Sequence, residues 1–163
     1  MAYPMRRKQQ QLTEAQCRDI LRAGSSGVLA LVGADGAPYA VPLSYLWEEG
    51  RVYFHCAKSG RKMDAIRHCD RASFCVVAQD RVVPEEYTTY YRSVILSGRL
   101  RVLEDPQEVR TAICALARKY HPTDSAEHRD RLIEKEWPAL CVVEMTVEEM
   151  TGKQARELME HPQ

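Results

Sequence analysis

The chain of 163 residues carries no net charge, no C-x-x-C pair among its six cysteines, only two phenylalanines and two tryptophans, and just eight glycines and eight prolines. Each shortage excludes something. With 23 basic against 23 acidic side chains there is no global field to gather a polyanion, so neither a nucleic acid nor a membrane surface is expected as a partner. Glycine and proline at that level exclude collagen-like repeats, and 45% hydrophobic with 28% charged residues is the composition of a globular domain. No apolar run approaches the ~20 residues that span a bilayer. The basic cluster Arg6-Arg7-Lys8 runs into glutamines rather than into an apolar secretion segment, so a cytoplasmic protein is expected. Cys17, Cys56, Cys69, Cys75, Cys114 and Cys141 mostly interrupt apolar runs and read as reduced core thiols. No His, Cys, Asp or Glu spacing resembles a metal site, and the G-x-x-x-x-G-K-[ST] phosphate loop is missing.

What is present divides into an N-terminal arm over 1–11, one domain over 12–155 and a short tail over 156–163, a single domain being what about 100–200 residues allow. Thr13 with Gln16 three residues on predicts a capping box opening a short helix, for which Gly24 is a left-handed stop. Val28 to Val32, the Ala34-Asp35-Gly36 turn and the alternating run Tyr39 to Tyr45 predict a hairpin. Arg51 to Cys56 returns as a strand with Val52, Phe54 and Cys56 on one face and Arg51, Tyr53 and His55 on the other. A helix is expected from Gly60 to His68, a strand from Ala72 to Ala78, a loop from Gln79 to Tyr90, and a long strand from Tyr91 to Leu103 that Gly98 lets bend. Asp105-Pro106-x-Glu108 caps the next helix, Ser125 to Glu136 reads as a charged helix, and Ala139 to Val147 closes the domain as a strand. About six strands in hairpin order, with helices inserted irregularly, predict an α+β, mainly β, small antiparallel barrel rather than a doubly wound parallel sheet.

Charge is uneven along the chain: residues 1–103 hold 15 basic and 10 acidic side chains, and residues 104–163 hold 8 and 13. From His55 to Arg71, Lys58, Arg61, Lys62, Arg67 and Arg71 face only Asp64 and Asp70. A strand ends at His55-Cys56, the loop Ala57-Lys58-Ser59-Gly60 turns, and Arg61-Lys62 opens a helix whose free N–H groups point into that loop, an arrangement that holds phosphate. The same charges also fit a solvated helix face. Pro42 and Ser44 present small side chains beside His55, which suits a flat heterocycle or, equally, an edge strand protected by its proline. His55 projects away from Val52, Phe54 and Cys56. It is either a satisfied structural histidine or a group that gives or takes a proton at this pocket.

The segment from Val52 through His55, Ser59, Arg61 and Lys62 to Ile66 resembles the signature of the flavin-binding split-barrel superfamily related to pyridoxamine 5′-phosphate oxidase, and within it the nitroimidazole-resistance-like proteins. Gly36-x-Pro38 leading to Val41-Pro42-Leu43-Ser44-Tyr45, Tyr91 to Gly98, and Thr151-Gly152-Lys153 extend the likeness over roughly residues 12–155. The resemblance implies a six-stranded antiparallel split β-barrel with peripheral helices, a homodimer, and FMN at the subunit interface. It implies the FMN phosphate at Ser59, Gly60, Arg61 and Lys62, the ring along Val41, Pro42, Leu43, Ser44 and Tyr45, and a border of Phe54, His55, Cys56 and Ala57. The partner subunit completes such sites, which brings in Ser93, and His55 matches a histidine beside the flavin pocket. The C-terminal Arg-Leu-x-Pro ending of true pyridoxamine phosphate oxidases is missing, so vitamin B6 oxidation is not expected. An FMN oxidoreductase acting on a small organic acceptor such as a nitroimidazole follows. The alternative is a protein that stores or senses a flavin, haem or deazaflavin without turnover.

Overall fold

The computed structural model describes residues 5–160. Three of the helix starts follow from local capping chemistry. Helix α1 (Glu14–Ala23) opens on the expected box: the Thr13 hydroxyl accepts from Gln16 N–H at 3.3 Å, and Gln16 Oε1 accepts from Thr13 N–H at 2.8 Å. Helix α2 spans Arg61–His68. Helix α3 (Pro106–Tyr120) is capped by Asp105, which accepts from Glu108 N–H at 3.2 Å, and α4 (Ala126–Glu136) by Ser125, which accepts from His128 N–H at 3.1 Å. A single turn, α5 (Glu157–Glu160), ends the described chain, and among the described residues no helix is long and apolar enough to cross a membrane.

The strands are β1 (Ser26–Val32), β2 (Pro38–Ser44), β3 (Leu46–Glu48), β4 (Arg51–Ala57), β5 (Arg71–Val83), β6 (Thr88–Val102) and β7 (Leu140–Gln154). They form one antiparallel sheet in the order β2-β1-β5-β6-β7-β4-β3. There are seven strands where about six were expected, because the chain leaving β2 breaks at Tyr45 and pairs again as the three-residue β3. The sheet curls around its apolar face without closing. Leu29 and Leu31 of β1, Phe54 of β4, Phe74 and Val76 of β5, and Val94 and Leu96 of β6 meet inside. There Phe74 takes the rings of Tyr45 and Phe54 edge-on, with centroids 5.0 Å away in each case. Helices α3 and α4 cover part of the opposite face, where Val109 and Ala112 pack with Leu103 and Val142.

Three expectations change. The segment from Gln79 to Tyr90, expected as a loop, is the outer part of a β5–β6 hairpin, with Gln79 facing Arg92 and Val83 facing Thr88. Its polar Gln79-Asp80-Arg81 stretch hides the alternation, while the β-forming Thr88 to Tyr91 supplies the pairing partner. The closing strand, expected over Ala139 to Val147, runs on to Gln154. Gly24 ends α1 in an extended conformation, φ −68°, not a left-handed one; glycine is needed there for space, since a Cβ would lie 2.5 Å from the Tyr45 hydroxyl. At the N-terminus, Gln10 is buried and Gln11 bridges to Lys153, so the end of the 1–11 segment packs on the domain.

Candidate functional site

Register places the site. Strand β3 pairs with residues 51–53 of β4 through Leu46↔Tyr53, Trp47↔Val52 and Glu48↔Arg51, whereas residues 54–57 pair with β7 alone. Strand β2 pairs with β1 alone. The sheet therefore leaves two free backbone edges, 54–57 and 38–44, which meet where the chain turns at Tyr45. Extending the β3–β4 register by two residues, through Tyr45 and Phe54, sets Ser44 by His55, and both line one cavity. At the other end of this seam the Arg61 guanidinium lies 4.6 Å from the centre of the Tyr39 ring. The seam runs from Ser44 and His55 to Tyr39 and the start of α2, about 16 Å at roughly 3.3 Å per residue. Pro42 suits this edge because it has no N–H to leave unpaired.

The α2 end of the seam is electropositive. Gly60 stands before the helix at φ +109°, a backbone conformation open to glycine, and no side chain caps the first-turn amides. Ser59, Gly60 and Arg61 are exposed and Lys62 is half-buried. Two other cations fasten the loop: Lys58 Nζ donates to Pro138 O at 2.6 Å, and Arg67 donates to Lys58 O at 3.0 Å while pairing with Asp64. Lys62 has a second neighbour in Cys56. Burial pushes the Cys56 thiol up to about 11, against the opposing pull of the Lys62 ammonium, and the thiol donates to Met63 Sδ at 3.6 Å. All six cysteines are free thiols.

The Tyr45 end is apolar and roofed. A cavity of about 340 Å³ lies between Ser44 and His55 on the sheet and the facing sides of α3 and α4. The roof is tied down at its C-terminal end. Lys119 Nζ donates to Gly24 O at 2.6 Å and Tyr45 O at 3.0 Å, and the Tyr120 hydroxyl accepts from Tyr45 N–H at 2.8 Å and sits 2.5 Å from Ser25 O. Burial among these groups lowers the Lys119 ammonium below the usual lysine value.

The structure brings most of the expected site residues to this seam, in different roles. Pro42, Ser44, His55 and Ala57 face outward, and Ser59, Gly60, Arg61 and Lys62 form the basic corner. Val41, Leu43 and Cys56 turn toward the core, half-buried, while Tyr45 and Phe54 are wholly inside, the Tyr45 hydroxyl donating to Leu21 O at 2.8 Å. These five offer the seam their backbone rather than their side chains. Ser93 is elsewhere: it pairs with Val77 of β5 and Lys153 of β7, so β7 separates it from β4. The cavity roof, with Ile113, Leu116 and Ala117 of α3 and Leu132 and Ile133 of α4, was missed. Its signal was the apolar pair Leu132-Ile133 in an otherwise charged helix, which reads as packing until a second apolar surface is placed opposite it.

Residues 13–154 match the family model described as pyridoxamine 5′-phosphate oxidase. No curated protein matches the chain. Solved structures do. A candidate 5-nitroimidazole antibiotic resistance protein from Bacteroides thetaiotaomicron superposes with a TM-score of 0.75 at 19% identity over 88% of this chain and 85% of that one. The flavocytochrome Anf3 of Azotobacter vinelandii gives 0.74 at 18% identity over 99% and 79%. The FAD and heme binding protein of Mycobacterium smegmatis gives 0.72 at 21% over 90% and 74%. At these identities the likeness is one of fold.

Proposed function

The chain belongs to the pyridoxamine 5′-phosphate oxidase family, and from that premise we propose that it is a flavoprotein that holds FMN along the seam and reduces a small organic acceptor, with nitroaromatics as the candidate class. One observation carries this reading: the uncapped first turn of α2 opens, between Ser59, Arg61 and Lys62, at the end of the free edge of β4. A dianionic phosphate there takes charge-assisted bonds from Lys62 and Arg61 and further bonds from the Ser59 hydroxyl and free amides. The free edges at 41–44 and 54–57 supply backbone donors and acceptors to a flat polar heterocycle, and outward Pro42 leaves room for it. The flavin supplies the electron transfer; the protein supplies anchorage, orientation and a proton. His55, exposed at the floor of the cavity, is positioned to hold or deliver that proton. Support from fold neighbours is of the same kind, since two of those described are a flavocytochrome and an FAD and heme binding protein.

Fluorescence titration with FMN tests the assignment. Lys62→Ala is expected to weaken binding by about 2 kcal/mol, near thirtyfold, from loss of one charged hydrogen bond. Equal affinity in the variant removes Lys62 from the site. A purified protein whose spectrum shows a haem band and no flavin band overturns the cofactor.

The reading includes a homodimer. Across the outer face of the sheet Pro42 faces Val28, Val28 faces Cys75, and Cys75 faces Ile95, with Val28 42% and Ile95 46% exposed and Val77 beside them 60% exposed. A contiguous apolar row of this kind on a sheet face is a docking surface. Ser93, paired with Val77, lies next to it and would reach a second copy's seam. Sedimentation equilibrium is expected to return twice the chain mass, and a monomer at micromolar concentration removes the dimer from the proposal.

A further inference from the structure

The cavity beneath α3 and α4 has a chemistry that flavin anchorage does not use. Its walls are Ile113, Leu116 and Ala117 from α3, Ile133 from α4 and Leu140 at the start of β7, and its floor is Ser44 and His55. No lysine or arginine lines it. Lys119, the nearest cation along α3, gives its ammonium hydrogens to the carbonyls of Gly24 and Tyr45, and the Tyr120 hydroxyl is likewise taken by backbone groups. The charge that does border the cavity is the exposed carboxylate of Glu136. At about 340 Å³ the space stands at the small end of ligand pockets, which run from roughly 300 to 1,000 Å³.

We propose that this cavity is the acceptor chamber, and that it selects neutral compounds of one or two fused rings bearing a carbonyl or nitro oxygen, quinones foremost, while rejecting anionic ones. The inference rests on the reading of His55 as part of the redox site. The ring is buried against the aliphatic walls, and its oxygen meets the two hydrogen-bonding side chains of the floor. A sulfonate, carboxylate or phosphate in the same place loses its water, finds no lysine or arginine among the lining residues, and faces Glu136. The same reasoning excludes phosphorylated vitamers from the chamber.

Calorimetric titration of the full chain, with and without FMN, by menadione and by a naphthoquinone sulfonate tests this. Menadione is expected to bind at least about tenfold more tightly than the sulfonate. Glu136→Lys, an exposed position, is expected to narrow that gap by strengthening sulfonate binding. Ala117→Phe, which fills the cavity from α3, is expected to abolish menadione binding. Equal affinities for the two probes, no menadione binding, or a natively melting Ala117→Phe that still binds menadione as wild type does, each overturns the proposal. If Ala117→Phe does not fold, the charge preference and its response to Glu136→Lys decide. Menadione binding without any FMN binding sinks the flavin reading alone; FMN binding without menadione binding sinks the chamber alone.

Discussion

A chain carrying alanine at both Arg61 and Lys62 is expected to bind FMN about a thousandfold more weakly than wild type, from the loss of two charged hydrogen bonds at about 2 kcal/mol each. The two side chains are held by different means, which is why the losses add. Lys62 is half-buried beside the Cys56 thiol, and Arg61 is kept at the seam by the face of the Tyr39 ring. Neither is engaged like Lys58 and Arg67, whose bonds to Pro138 O and Lys58 O hold the loop itself. The double variant should therefore melt within about 1 kcal/mol of wild type, exposed cation-aromatic contacts being worth only about 0.5–1 kcal/mol. Its remaining FMN affinity should also fall less steeply with added salt, because two screened attractions have gone. A double variant no weaker than Lys62→Ala alone shows that the Arg61 guanidinium stays on Tyr39 and takes no part.

The basic corner was legible in the sequence because everything that makes it is local. A strand, a Ser-Gly turn and a helix opening on two cations follow one another within ten residues, and each element is announced by its own chemistry. The same holds for the Thr13 and Asp105 caps, whose bonds close within three residues. The seam was half legible. Alternation in 38–45 and 51–57 correctly turned Pro42, Ser44 and His55 outward and Phe54 inward. That β4 loses its second neighbour after Tyr53 depends on the chain breaking at Tyr45, and this in turn depends on Lys119 and Tyr120, some 75 residues away, binding the Tyr45 backbone. No local pattern encodes such a contact. The roof over His55 was illegible for a related reason: an apolar stripe on α3 reads the same whether it meets core or cavity.

Gly98→Ala is expected to cost about 3–4 kcal/mol, at or beyond the upper end of what overpacking usually costs, and to lower the melting temperature by about 10 °C. The sequence showed Gly98 as a place where the longest strand bends, and the structure gives the reason. Ser97 faces Glu149 on β7 while Gly98 faces Val147, so Glu148 is an extra residue on β7 and the two strands are bulged there. At the bulge they approach so closely that a Cβ on Gly98 would stand 2.0 Å from the Thr146 carbonyl oxygen and 3.2 Å from the Val147 Cα. The obstacle is backbone on both counts, so no side chain can swing aside, and relief requires β6 and β7 to part. These two strands carry the centre of the sheet, and β7 in turn positions β4 with His55. Gly60→Ala is the informative contrast. A Cβ there meets nothing within 4 Å, and the cost is the backbone strain of φ +109° alone, about 1–3 kcal/mol. Urea unfolding of the three proteins separates the mechanisms: steric opening of the sheet ranks Gly98→Ala well below Gly60→Ala, and the reverse order refutes the account of the bulge. FMN titration of the folded fraction adds a second readout, because Gly60→Ala moves the corner proposed to hold the phosphate, whereas Gly98→Ala acts on the seam only through the loss of the folded sheet.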